Sequence, residues 1–205
     1  MEFSRRGSFS WQYISQFWPL VLPVLVLLPG IMGFPYPSSE ADYSDIVISH
    51  FPNAVYLQKS ILNWGVLPLW SPAILSGYPF AANPLSGIWY PPGWLALFFR
   101  LPFGFNLLIL LHFLVGGWGM YKLLRVEEIN HLAAIFGGMA FVALPKLYAH
   151  YGAGHLSLMY ALAWTPWLLY ATNVSLKRPG GYSSGWKMLF SLPLQPVLFF
   201  VFLFL

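Results

Sequence analysis

Carboxylates are rare in this sequence, and half of them lie close together. Six residues are Asp or Glu, and three of these, Glu40, Asp42 and Asp45, follow the first long apolar stretch. A carboxylate in such a place can accept a proton from an attacking hydroxyl group. The alternative is that these residues cap a following helix or keep a loop in water, since carboxylates favour helix N-termini. The residues alone favour this second interpretation.

Histidines and basic residues form a second group of chemical interest. His150 and His155 are five positions apart in a glycine-containing turn, and imidazoles can bind a metal ion or a phosphate. Two histidines without a demonstrated carboxylate partner favour hydrogen bonds to the loop backbone instead, so the sequence predicts no metal site. Lys59, Arg100 and Lys146 are the other cations expected near these histidines, on one side of the molecule.

Cysteine is absent, which excludes disulfides, thiolate catalysis and cysteine-bound metals. The sequence does not identify a cofactor. The net charge of +4 and the pI near 9.3 are those of a basic protein. Because the basic residues separate apolar stretches instead of gathering on one face, we expect no nucleic-acid partner.

The elements that must position these groups are membrane helices. Hydrophobic residues make up 58% of the 205 positions and charged residues 8%, against roughly a quarter charged in an ordinary soluble domain. A helix needs about 20 apolar residues to cross the hydrocarbon core. We therefore expect an all-α membrane protein with about five transmembrane helices, near residues 11–33, 104–124, 131–148, 155–173 and 187–205.

This division gives three parts: an N-terminal segment with the first span (1–34), a long outer loop (35–103) and spans two to five (104–205). Membrane proteins keep Lys and Arg on the cytoplasmic side. Arg5 and Arg6 precede the first span, and Lys122 and Arg125 follow the second. The pattern predicts a multi-pass protein of the bacterial inner (plasma) membrane, with a cytoplasmic N-terminus and loop 35–103 outside.

The long loop is predicted to contain one short helix that lies on the membrane surface. Residues 52–63 have a helical pattern, with Pro52 suited to the first position and Gly65 to the end. Its polar face carries Asn53, Tyr56, Ser60 and Asn63. After it, prolines, glycines and aromatics alternate up to residue 94, which precludes a long helix. Such aromatics favour the headgroup zone, with stacking on sugar rings as the alternative.

A series of short motifs carries a resemblance to a known family. Asp45 is followed seven residues later by Pro52, and further pieces follow in order through the second and fourth spans. These pieces are Gly65-Val66-Leu67-Pro68-Leu69-Trp70-Ser71-Pro72, Gly77-Tyr78-Pro79, Ala82-Asn83-Pro84, Tyr90-Pro91-Pro92, His112, Gly154-His155 and Ala163-Trp164-Thr165-Pro166. The ordered series resembles the bacterial YfhO-like membrane proteins, part of the wider GT-C group of glycosyltransferases.

The resemblance implies a fold of many helices with a catalytic pocket at the outer membrane face. GT-C enzymes transfer a sugar from a polyprenyl-phosphate carrier, and Asp45 matches their usual catalytic carboxylate. The phosphate leaving group would need cations, for which Lys59, Arg100, Lys146, His150 and His155 are the candidates. Asp42 is a further substrate-binding candidate, with a structural role in the loop as the alternative.

The length of the chain separates the functional hypotheses. YfhO-like proteins continue through many more spans, so we expect a truncated form, either an N-terminal fragment or a shortened homologue. The alternative from another class is a non-catalytic membrane subunit of a larger complex, in which the loop binds other membrane subunits. A third possibility is a lipid or sugar carrier, which would need polar residues at mid-membrane depth in several helices. Apart from His112, which we expect to face other helices, the spans offer almost none.

Overall fold

The structure, a computed structural model, describes residues 14–33, 44–74 and 76–177, and most of these residues are helical. The main helices are α1 (Val21–Leu27), a π-helical turn (Ile46–His50), α2 (Phe51–Trp64), α3 (Phe103–Val126), α4 (His131–Val142), α5 (Pro145–Ala153) and α6 (Leu156–Lys177). Short helical turns cover Trp18–Leu20, Leu28–Gly30, Phe80–Ala82, Pro84–Ser86, Pro91–Trp94 and Leu95–Phe98. Within those ranges no strand forms, and Ser71 and Tyr78 make a single antiparallel bridge. The predicted all-α class is confirmed for this part of the chain.

Among the residues that the structure describes, two helices are long and apolar enough to cross a membrane, as judged by length and composition. They are Phe103–Val126 and His131–Ala153, the second of which consists of α4 and α5 in succession. A shorter apolar helix covers Trp18–Gly30, where the first span is predicted. The predicted fifth span, 187–205, lies outside the described residues. The predicted number of crossings therefore stays a prediction.

Helix α3 forms the centre of the described fold and packs against α4 and α6. Glycines make the α3–α4 contact close: a Cβ atom on Gly138 would lie 2.8 Å from the carbonyl oxygen of Gly117 and 2.9 Å from Pro19. The lack of side chains at these glycines therefore lets the two helices approach closely. The same contact brings the first apolar helix against α3 and α4.

A side-chain amide joins the end of the first helical segment to the start of α3. Asn106 Nδ2 donates hydrogen bonds to the carbonyl oxygens of Ile31 and Gly33, at 3.1 and 3.2 Å. Because carbonyl groups at a helix end lack partners within the helix, this amide satisfies groups that would otherwise be orphaned. It also fixes the point from which the long loop begins.

The long loop wraps around α2 and is bound to it by side-chain amides. Asn53 Nδ2 donates to the carbonyl oxygen of Leu85, and Gln58 Nε2 donates to those of Leu97 and Phe99. Asn53 is buried, and so is Ser60, which lies about two helical turns further along α2. Asn53 and Ser60 of the predicted polar face therefore pack inward, whereas Asn63 of the same face is exposed, as are Leu62 and Trp64.

Candidate functional site

Asp45 stands at the start of the π-helical turn that leads into α2. The amides of Val47 and Ile48 both donate to the carbonyl oxygen of Ser44, and the amide of Ile46 donates to Ser44 Oγ. The Ser44 side chain thus helps to satisfy the first amides of the turn, which have no partner within the helix. The Asp45 side chain is half exposed, so its carboxylate remains open to solvent and ligands.

Gly154 brings the turn between α5 and α6 directly against the Asp45 backbone. Its φ of +91° ends α5, and the amide of His155 donates to the carbonyl oxygen of His150 at 2.9 Å, as in a Schellman cap. A Cβ atom on Gly154 would lie 2.5 Å from the Asp45 amide nitrogen and 2.6 Å from that of Ile46. Only glycine satisfies both the left-handed conformation and this close contact.

The turn places two histidines beside the carboxylate. His155 Nε2 lies 3.9 Å from Asp45 Oδ2, and His155 Nδ1 lies 3.1 Å from His150 Nδ1. The two imidazole rings are therefore hydrogen-bonded to each other. The sequence had instead favoured hydrogen bonds from these rings to the loop backbone. Asp45, His50, His150 and His155 are called the Asp45 cluster below.

His50 is a member of the cluster that the sequence did not predict. A π-helix bonds residue i to residue i+5, so residues five apart lie about one turn apart, which an α-helical pattern does not predict. His50 follows Asp45 by five positions in such a turn. Burial lowers the pKa of His50 to about 4, and the negative charge of Asp45 opposes this effect. His50 is therefore neutral at pH 7 and adds no positive charge to the cluster.

The predicted cations divide between this cluster and a distant part of α2. Lys146 lies on α5 one turn before His150, on the same helix face, and is exposed. Lys59 lies fourteen positions after Asp45 on one continuous helical segment, about 20 Å away at the usual rise per residue. Arg100 follows the segment that Gln58 binds, so it belongs to the Lys59 end of the loop. Asp42 lies outside the described residues.

A second group of polar side chains, the Tyr90 network, joins the loop to the helices. Trp164 Nε1 donates to Tyr90 Oη at 2.9 Å, and the Tyr90 hydroxyl is hydrogen-bonded to His112 Nε2. His112 Nδ1 lies 2.7 Å from the carbonyl oxygen of Leu108, which fixes it as the protonated nitrogen. The ring of Tyr160 stacks on His112 with centroids 3.8 Å apart. Tyr90, His112, Tyr160 and Trp164 make up this network.

The histidine at the centre of the network is buried, unlike Asp45 and His155. His112 is 4% exposed and faces α6 and the loop, which confirms the expectation that it faces other parts of the protein. Burial raises the pKa of Tyr90 to about 12, against the opposing effect of the Trp164 hydrogen bond. A phenol with this pKa stays protonated at pH 7. Each ring nitrogen of His112 has a partner, which is the pattern of a structural histidine.

The Asp45 cluster is thus the place where open polar groups meet. In the described part of the chain, no group of three or more His, Cys, Asp or Glu side chains has the arrangement of a metal site. A half-exposed carboxylate beside two part-exposed imidazoles can nonetheless accept protons and hold a ligand that carries hydroxyl or phosphate groups.

Comparison with known proteins adds nothing to this geometry. No protein-family model, no curated protein and no solved structure matches the chain.

Proposed function

We propose that this chain is a GT-C-like membrane glycosyltransferase relative that uses a polyprenyl-phosphate-linked sugar at the outer membrane face. In this proposal Asp45 is the general base, and the molecule crosses the inner membrane about five times with loop 35–103 outside.

The observation that carries the proposal is the contact between Gly154 and the Asp45 backbone. The motif pieces behind the resemblance are far apart in sequence, yet Gly154-His155 packs on Asp45 and the His155 ring lies 3.9 Å from its carboxylate. Tyr90, His112 and Trp164 belong to three further pieces and form one hydrogen-bonded network. Residues from the motifs that carry the family resemblance thus meet in the Asp45 cluster and in the Tyr90 network. This grouping supports the proposal that the motifs serve one function.

The reaction would use the Asp45 cluster as follows. The oxygen of an acceptor hydroxyl forms a bond to the anomeric carbon as the bond from that carbon to the carrier phosphate breaks. The hydroxyl proton passes to the Asp45 carboxylate, and the polyprenyl phosphate leaves with the bonding electrons. Lys146 and hydrogen bonds from His150 and His155 would stabilise the leaving phosphate. Lys59, about 20 Å from Asp45 along the helical segment, and Arg100, at the same end of the loop, would contact the carrier lipid or the headgroups.

Sugar transfer by the Asp45→Asn variant tests this mechanism. The full chain would be reconstituted in vesicles with short-chain polyprenyl-phosphate sugars, and transfer to lipid or glycan acceptors would be measured by mass spectrometry. Removing the base should lower turnover at least 100-fold, whereas Glu128→Gln, near the far end of α3, should leave it unchanged. Equal turnover in wild type and Asp45→Asn would remove Asp45 from the mechanism.

The proposed topology can be tested in intact cells because the chain has no cysteine of its own. A single cysteine at Lys59, which is exposed on α2, should react with a membrane-impermeant maleimide. A cysteine at Glu128, on the predicted cytoplasmic side, should react only after the membrane is permeabilised. Labelling of position 128 but not of position 59 in intact cells would contradict both the topology and the sugar-transfer proposal.

A non-catalytic membrane subunit is the second candidate, and one surface favours it. The side chains of Leu62, Trp64, Val66, Leu69 and Trp70 are all more than half exposed on one stretch of the loop. An apolar surface of this kind suits a partner protein or the lipid headgroup zone. A photo-crosslinker at Trp70 that captures one membrane protein would favour the subunit, and crosslinks to lipid alone would favour the enzyme.

A further inference from the structure

We propose that His150 and His155 together bind one divalent transition-metal ion between their Nδ1 atoms, with Asp45 orienting the His155 ring. The sequence predicted no metal site because the two histidines lacked a carboxylate partner. The fold supplies that partner from a position 110 residues earlier in the chain.

The spacing of the two nitrogens is that of a shared metal ion. Zinc binds imidazole nitrogens at about 2.0–2.1 Å in tetrahedral geometry, which places two such ligands about 3.3 Å apart. His150 Nδ1 and His155 Nδ1 are 3.1 Å apart, and the Schellman cap around Gly154 fixes the backbone of both residues. A metal ion can therefore bind with little movement of the chain.

The other nitrogen of His155 has the neighbour that a metal-bound histidine usually has. A histidine that binds metal through one nitrogen donates the proton of the other to a carboxylate, carbonyl or water. His155 Nε2 lies 3.9 Å from Asp45 Oδ2, so Asp45 is the nearest carboxylate partner for this nitrogen once the side chains move closer. This second contact is independent of the spacing between the two Nδ1 atoms, and both require the same tautomer of His155.

Two protein ligands leave the rest of the coordination sphere to solvent or substrate. The rings of the pair are part-exposed, so water or phosphate oxygens can reach the ion. Imidazole suits Zn²⁺, Ni²⁺, Cu²⁺ and Co²⁺ more than Mg²⁺ or Ca²⁺. If the proposed function holds, the ion neutralises the charge of the phosphate that leaves the sugar. Only this role depends on the proposed function, and metal binding itself does not.

Calorimetry with Zn²⁺ alone tests the site. Full-length protein without a histidine tag, purified in detergent, should bind one Zn²⁺ per chain in the micromolar range. His150→Gln and His155→Gln should each weaken binding more than 10-fold, and Asp45→Asn should weaken it about 10-fold. His131→Gln is the matched control, because His131 lies at the start of α4 and is bonded to Ser15 and Tyr121.

Absence of Zn²⁺ binding, or equal binding by wild type and both cluster variants, would overturn the proposal. Circular dichroism and gel filtration would show whether the variants fold. For a variant that does not fold, X-ray absorption of the zinc-loaded wild type decides: two imidazole nitrogens at the zinc support the site, and a sphere without imidazole overturns it. Sugar transfer that depends on Asp45 but needs no metal would overturn the metal role and leave the proposed function standing.

Discussion

The Asp45 cluster and the Tyr90 network both contain histidine, yet the two regions differ in every property that decides what a histidine does. His112 is buried, and both its ring nitrogens are bonded within the protein. His155 is 48% exposed, and its contacts at 3.9 and 3.1 Å are to other groups that can change protonation or bind ligands. A saturated, buried histidine holds a fold together, whereas an open one is available for chemistry. The comparison predicts opposite effects on stability and on ligand binding.

The largest loss of stability is expected from His112→Ala. The substitution leaves a cavity beside Phe113 and Met159 and removes partners of Tyr90 and of the Leu108 carbonyl group. Together these should lower the free energy of unfolding by about 3 kcal/mol or more, as measured by unfolding in detergent. His112→Phe keeps the stacking on Tyr160 and should recover part of the loss. An unchanged stability of His112→Ala would mean that the network does not tie the loop to the helices.

Gly154→Ala should come next, because it disturbs the contact that places Asp45. The alanine would combine an unfavourable left-handed φ with a Cβ atom 2.5 Å from the Asp45 amide nitrogen. We expect a loss of about 2 to 3 kcal/mol in the free energy of unfolding.

Two other glycines separate the causes of that loss. Gly65 also has a positive φ but an open Cβ position, so Gly65→Ala should cost only about 1 kcal/mol. Gly152 has an open Cβ position and no positive φ, and Gly152→Ala should be neutral or slightly stabilising. Equal losses for Gly154→Ala and Gly65→Ala would show that the contact with Asp45 adds nothing.

Tyr90→Phe should have a smaller effect within the buried network. It removes one hydroxyl group and keeps the ring, so Trp164 Nε1 and His112 Nε2 lose a partner while the packing on Tyr160 remains. The expected loss is about 1 to 2 kcal/mol. The same substitution should make the loop more sensitive to proteases, because Tyr90 joins the loop to α3 and α6. Tyr78→Phe, which removes a hydroxyl bonded to Asn53 within the loop, is the matched control for this second effect.

The sequence pattern predicted the long helices well and the two polar centres only in part. Residues 104–124 were predicted as a helix, and α3 covers Phe103–Val126. The prediction succeeded because a long apolar run without proline forms a continuous helix. Helix α2 differs from its prediction by one residue at each end. The helical periodicity of the sequence placed Asn53 on the polar face of α2. It could not predict that the loop covers Asn53, so that this side chain does not face water.

What the sequence could not supply was the geometry between distant segments. Tyr90 and Trp164 are 74 positions apart, so no local pattern indicates their hydrogen bond. His50 was missed because α-helical periodicity separates it from Asp45, and only the π-helical turn brings them to one side. Conversely, Lys59 and Asp45 were grouped by topology alone, and the helical segment between them separates their backbones by about 20 Å.

The smallest effect on stability is expected from His155→Ala, and this small effect is informative. The side chain is half exposed and its contact with Asp45 is longer than a hydrogen bond, so the free energy of unfolding should change by no more than about 0.5 kcal/mol. Zinc binding by the same variant should nevertheless be lost, since one of the two nitrogens at 3.1 Å is gone. A destabilisation comparable to that of His112→Ala would place His155 among the structural histidines and remove the contrast between the two regions.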